Sequence, residues 1–263
     1  MTVTALVENE CSCGLDTEHG LSLYIETDDG TRILFDMGQG PLFAKNAAIL
    51  EKDIAAVDIA VISHGHYDHG GGLSEFLRLN SKAKVYVHRK AFEEHFSIRE
   101  TGITYIGLNR SLAEKYPDRI CLCGDSCQIA PNISLFAGVE GTHPRPAGNR
   151  LLLEADRLTP DCFRHEQNLI VCEGNKRVLF AGCAHCGIAN ILEYAGAVTH
   201  VFAGFHLIKD SSNDLELLAS ELLSHKGCMY YTMHCTGTDN YRILKGLMHD
   251  KTDYLSCGRT IKL

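Results

Sequence analysis

Four potential metal ligands fall within six positions at His64-Gly65-His66-Tyr67-Asp68-His69, directly after the apolar run Ile59-Ala60-Val61-Ile62. Side chains alternate in an extended segment, so His64 and His66 project to one side and present two imidazoles to one ion. Asp68 and His69 follow as the chain turns toward Gly70-Gly71-Gly72, adding an oxygen and a third nitrogen that a tight turn can aim at a neighbouring ion. A polar surface loop has no reason to place ligands this densely after a buried-strand signal. Imidazole and carboxylate in this mixture suit Zn²⁺, Fe or Mn²⁺. The glycines at 65 and 70 to 72 let substrate and backbone approach such ions closely.

The same unit recurs along the chain. Arg177 to Ala181 ends in Gly182-Cys183-Ala184-His185-Cys186-Gly187, and Ile188, Ile191 and Leu192 then have the spacing of one helix face. Thr199 to Ala203 ends at Gly204-Phe205-His206, followed by polar residues 209 to 214 and a helical stretch from Leu215 to Ser224. Cys228 to Met233 ends at His234-Cys235-Thr236-Gly237, ahead of a helix from Tyr241 to Met248. Upstream, Leu21 to Thr27 and Thr31 to Phe35 read as hairpin strands about the turn Asp28-Asp29-Gly30. Residues 101 to 167, with five of the six prolines, read as shorter strands and loops. Strands alternating with helices predict an α/β fold, and the front hairpin makes its sheet mixed rather than purely parallel. Ligand sites in such architectures gather at the carboxyl ends of strands, and four strand ends here deliver histidine.

Composition narrows the partners. With 45% hydrophobic and 22% charged residues, the 263-residue chain can bury a core without crosslinks, and nothing in it marks a domain boundary, so one domain over 1–263 is expected. A net charge of -8 with scattered Lys and Arg gives no footprint for a phosphate backbone, which argues against a nucleic-acid partner. The N-terminus lacks a signal-peptide pattern, and no apolar run reaches the ~20 residues of a membrane span. The expectation is a cytoplasmic protein whose twelve cysteines are reduced.

His-x-His-x-Asp-His followed by glycines resembles the signature of the metallo-β-lactamase superfamily. A narrower resemblance rests on Glu18-His-Gly-Leu-Ser22, Leu34-Phe-Asp-Met-Gly38, residues 63 to 72, residues 182 to 187, Ala203-Gly-Phe-His-Leu207 and His234-Cys-Thr-Gly237. These look like the subgroup named for the dihydropterin phosphate synthase of methanopterin biosynthesis. The resemblance implies an αββα sandwich, two mixed sheets flanked by helices, with two divalent metal ions, Zn first and Fe or Mn as alternatives. It implies that His64, His66 and His185 hold the first ion, and Asp68, His69 and His234 the second.

The commoner superfamily pattern has a Gly-Asp strand end whose carboxylate bridges both ions, where this chain has Gly182-Cys183. Cys183 either bridges as a thiolate or packs as a plain thiol. Asp68, beside its ligand role, and His206 are the candidate catalytic residues, with His206 able to act as general acid or phosphate anchor. Asp36 is an outer carboxylate orienting a ligand histidine or else a turn residue. His165 stands where the subgroup is expected to carry an acid, and Glu166 could buttress the site, but neither is assigned to an ion. Cys11-Ser12-Cys13 with Cys121, Cys123 and Cys127 could supply four sulfurs to a further ion only if the fold brings them together.

Hydrolysis by a metal-bound hydroxide of an ester, lactone or phosphoester small molecule is the leading expectation. Arg145, Arg150 and Lys209 are candidate anion grips. If the pterin resemblance extends to a phosphorylated substrate, transfer from a pterin diphosphate is the alternative. A non-catalytic metal sensor is a third. A redox role beside a flavin domain is disfavoured, since relatives of that kind carry an acid where this chain has His66 and append a further domain.

Overall fold

Residues whose two faces must both be covered form the centre of each sheet. The computed structural model describes all 263 residues. The first seven-stranded sheet runs, in spatial order, Thr260–Lys262, Thr2–Val7, Ser22–Glu26, Arg32–Phe35, Ile59–Ile62, Lys84–His88 and Ile120–Cys123. Pairing is antiparallel from the first edge to Arg32–Phe35 and parallel beyond it. The second runs Thr252–Tyr254, Met229–Thr232, His200–Ala203, Lys176–Ala181, Gln167–Glu173, Ile133–Ala137 and Ser126–Ala130. Its first four strands are parallel and the rest antiparallel.

The alternation of side chains decides how these sheets stack. Ile33, Phe35 and Val61 from one sheet share a core with Val171, Val178, Phe180 and Phe202 from the other, so those faces pack together. Leu34, Ala60 and Ile62 point the opposite way, onto Phe43, Ala47, Phe76 and Leu77 of the helices Leu42–Ile49 and Leu73–Leu79. On the far side Leu179, Val201 and Tyr230 meet Ile191, Leu215, Leu222 and Leu244 of the helices Ile188–Ala195, Ser212–Ser224 and Thr238–Met248. The result is an αββα sandwich, the fold class expected from the sequence. No helix is long and apolar enough to cross a membrane.

The helix expected from Leu215 begins at Ser212 instead. Ser211 and Asp214 form a reciprocal capping box that satisfies the first free amides and extends the helix backward through polar residues that carry no apolar period. The helix expected from Tyr241 begins at Thr238, because Gly237 with φ 76° turns the chain directly into it. A small third sheet of Leu152–Leu153, Phe96–Arg99 and Gly102–Tyr105 supplies one wall of the site described next.

Candidate metal centre

The parallel strands of both sheets end at one rim. Ile59–Ile62 leads into Ser63 and His64, Lys176–Ala181 into Cys183 and His185, His200–Ala203 into His206, and Met229–Thr232 into His234. Asp36, Ala184, His206 and His234, each just beyond such a strand, hold φ of 60°, 51°, 51° and 51°. Left-handed backbone at non-glycine residues is costly, and here it turns the candidate ligand side chains at these strand ends toward a common space. His66, Asp68, Cys183, His185, His206 and His234 line a cavity of about 170 Å³, with His64 and His69 fully buried behind them.

Hydrogen bonds at Nδ1 fix the tautomer of four histidines. Ser63 Oγ donates to Asp36 Oδ2 at 2.7 Å, so at 2.9 Å it accepts from His64 Nδ1. His69 Nδ1 donates to the same Asp36 oxygen at 2.7 Å. Asn149 donates its amide nitrogen to the His185 carbonyl at 2.7 Å, which turns its oxygen toward His185 Nδ1 at 2.9 Å. Asn9 Oδ1 accepts from the Gly20 amide at 3.2 Å and from His234 Nδ1 at 2.8 Å. In the neutral ring each Nε2 therefore carries a lone pair free of a proton, and outer partners of this kind orient metal-binding imidazoles.

Those lone pairs converge in two groups that share one sulfur. Donor atoms of His64, Cys183 and His185 lie within 4.8 Å of one another, as do those of His69, Cys183 and His234. His66 Nδ1 sits 3.0 Å from His64 Nε2, while Cys183 Sγ and His234 Nε2 are each 3.2 Å from His69 Nε2. Asp68 Oδ2 lies 3.4 Å from His234 Nε2 and 3.3 Å from His19 Nε2. Cys183 thus stands between the two groups, the position expected of a bridging ligand.

Protonation follows burial. Burial together with the neighbouring imidazoles pushes His64, His66 and His185 well below the usual histidine range, leaving them neutral. Burial alone would raise Asp68, but His69, His19 and His234 outweigh it and hold the carboxyl well below its ordinary range. Burial and Cys235 push the Cys183 thiol well up, so a cation must displace its proton before it can ligate. The buried His66 and His185 Nε2 atoms have no hydrogen-bond partner. Neutral imidazoles with unpartnered nitrogens, a carboxylate and a thiol on one cavity fit divalent ions.

Two buried carboxylates brace the turns that carry these ligands. Glu166 accepts from the His185 and Cys186 amides at 2.6 and 2.9 Å, the buttress anticipated from the sequence. Glu8 accepts from the His234 amide at 2.5 Å and from Tyr254 Oη at 2.7 Å. His165 accepts from the Gly65 amide at 3.0 Å and bonds to Asp161 at 3.1 Å.

Sequence reasoning missed Glu8, Asn9, His19, Asn149 and Cys235. Glu8 and Asn9 follow a buried strand, Thr2–Val7, in the pattern that flagged the histidines. Cys235 was visible beside His234, and its sulfur accepts from the His206 amide at 3.2 Å. The anion grips also need correcting. Arg145, Arg150 and Lys209 do not line this cavity, whereas Arg99, delivered by the Phe96–Arg99 strand of the small sheet, does. Nor does the fold unite the proposed cysteine sets. Cys121 and Cys123 lie on the Ile120–Cys123 edge strand, while Cys11 pairs with Cys257 beside the opposite edge.

The family model for the metallo-beta-lactamase superfamily matches residues 15–224. An uncharacterised protein of Methanocaldococcus jannaschii is 28% identical over 241 residues, covering 89% of this chain and 90% of its own. The 7,8-dihydropterin-6-methyl-4-(beta-D-ribofuranosyl)-aminobenzene-5'-phosphate synthase of the same organism is 26% identical over 268 residues, covering 94% and 90%. A crystal structure of a metal-dependent hydrolase of the beta-lactamase superfamily superposes with a TM-score of 0.84 at 27% identity, covering 100% of this chain and 99% of its own.

Proposed function

The chain belongs to the metallo-β-lactamase superfamily, and on that footing we propose that it is a single-domain, metal-dependent hydrolase of a small anionic molecule, acting on an ester, lactone or phosphoester bond. The observation that carries this reading is the set of four Nε2 lone pairs, on His64, His69, His185 and His234, each fixed by a partner on Nδ1 and turned toward Cys183. The buried His66 and His185 Nε2 atoms have no hydrogen-bond partner, a cost that cations relieve. His64, His66 and His185 would hold one ion, Asp68, His69 and His234 another, and Cys183 would belong to both. Zn²⁺ suits these donors best, with Fe and Mn as alternatives. Such ions, when bound, supply Lewis acidity and a nucleophile at neutral pH.

The chain's own residues bind and orient. Arg99 is the sole Lys or Arg on the cavity wall and grips the anionic group of the substrate. Ile106, Leu152 and Ile208 on the same wall pack the substrate body and exclude water. Asp68 stays a carboxylate and accepts a hydrogen bond from the attacking water. At His206, burial works against the charged form, but Cys235, Asp68 and Glu166 outweigh it and hold the pKa above its ordinary value. Its buried Nδ1 has no partner and can hand a proton to the departing oxygen.

The test is a panel of carboxylic esters, lactones and phosphoesters, run with metal-loaded wild type and His66→Ala. Turnover that His66→Ala loses supports hydrolysis. No turnover above His66→Ala on any of them overturns it in favour of a metal-binding sensor. Group transfer is a second reading, favoured by the similarity to a synthase along nearly the whole chain. Coupling of a pterin diphosphate to an aryl phosphate, without bare hydrolysis, would establish it.

A further inference from the structure

Away from the central cavity, three thiols from the two ends of the chain meet. Cys11 and Cys257 are partners in a parallel bridge, reinforced by the Cys257 amide donating to Glu10 O at 2.8 Å. Bridged residues project their side chains to the same side, which sets the Cys257 side chain beside Cys11, with its thiol donating to Leu6 O at 3.3 Å. Cys13 Sγ lies 3.5 Å from Cys11 Sγ and donates to the Cys257 carbonyl at 3.6 Å. All three cysteines are free, with Cys13 exposed, Cys11 half-buried and Cys257 buried.

The surrounding backbone is shaped for sulfur. The Cys13 amide donates to Cys11 Sγ at 3.3 Å, and the Gly14 and Leu15 amides also turn toward that sulfur. Amides converging on one sulfur stabilise a thiolate. Gly258 has φ 81°, and a Cβ there would come within 2.3 Å of Cys13 Sγ, so glycine keeps this space open for the thiol. A disulfide needs sulfurs about 2.05 Å apart. Thiolates around a tetrahedral ion with bonds of about 2.3 Å stand roughly 3.8 Å apart, close to the 3.5 Å between the Cys11 and Cys13 sulfurs.

We propose that Cys11, Cys13 and Cys257 form a separate thiolate metal site for a thiophilic closed-shell ion, Zn²⁺ or Cu⁺. On binding, three S–H protons pass to solvent and three sulfur–metal bonds form, with no change of oxidation state. The ion ties the loop after the first strand to the C-terminal segment. That loop carries Glu8 and Asn9, which hold the His234 amide and ring, so occupancy of this site steadies one ligand of the central cavity.

Metal-free protein, prepared anaerobically, is titrated with Cd²⁺ while thiolate-to-cadmium absorption and stoichiometry are read for wild type, Cys13→Ser and Cys183→Ser. Cys13 is exposed, so its replacement leaves the core intact. Cys13→Ser is expected to bind one ion fewer per chain and to lose a part of the absorption that Cys183→Ser keeps. Elemental analysis of the two proteins as purified then shows whether zinc or copper is the ion lost. Equal stoichiometry and absorption in wild type and Cys13→Ser overturn the proposal. So does a Cys11–Cys13 disulfide in the anaerobically purified protein, seen as a mass two hydrogens lower.

Discussion

Asn149 holds His185 at two points, its Nδ2 donating to the carbonyl at 2.7 Å and its Oδ1 accepting from Nδ1 at 2.9 Å. This pairing leaves His185 Nε2 unprotonated and aimed, and Asn149 hydrogen-bonds to no other candidate ligand. Asn149→Ala is expected to weaken metal binding by roughly 10- to 100-fold, the usual effect of losing an outer partner. Competition with a chromophoric chelator measures it, and an unchanged affinity would remove Asn149 from the account.

His64 is fully buried, with its Nε2 3.0 Å from His66 Nδ1 and its other nitrogen tied to Ser63. In the Cys13→Ser background, His64→Ala is expected to abolish both metal retention and activity. Elemental analysis alongside the ester and phosphoester panel checks this, and retained metal with full activity would contradict the whole assignment.

Arg99 reaches the cavity alone among the cations. Arg99→Ala should raise KM for anionic substrates by about tenfold, since loss of one charge-assisted contact costs on the order of 1.5 kcal/mol, and should leave kcat nearly unchanged. Neutral esters of similar size should show no such rise. Equal effects on both classes would mean that Arg99 shapes the wall rather than binding charge.

Metal-free protein should be most stable near neutrality. Burial and neighbouring imidazoles lower His64, His66 and His185, so below about pH 6.5 the unfolded chain binds protons that the fold refuses, and stability falls with pH. His69 moves the other way: burial would lower it, but Asp36 and Asp68 outweigh that and raise it, so its contribution is present below about pH 6.5 and fades as pH rises through its folded value. Each group changes stability by at most about 1.4 kcal/mol per pH unit. Urea midpoints between about pH 5 and 8 should trace a maximum that metal loading flattens, whereas a monotonic profile would contradict the assigned protonation states.

The candidate ligands legible in the sequence are those whose spacing is local. His64, His66, Asp68 and His69 come from one turn, and strand-plus-histidine units flagged His185, His206 and His234. Asp36 was half legible, as a carboxylate at a strand end, and the structure sets it against both Ser63 and His69. Asn9 and Asn149 were not legible, because they reach His234 and His185 across 225 and 36 positions through sheet pairing and a loop. Arg99 was hidden similarly: its strand belongs to a small sheet whose partner, Leu152–Leu153, lies some fifty residues on. The cysteines show the opposite error, since Cys11-Ser-Cys13 was noticed but its partner proved to be Cys257, brought in by the chain closing on its own first strand.

The central claim is that two ions share Cys183, and the most direct test is the metal content of anaerobically purified Cys13→Ser, which lacks the peripheral thiol site. About two ions per chain, falling to one or none on Cys183→Ala in the same background, is the predicted result. A single ion per chain, indifferent to Cys183→Ala, would contradict it.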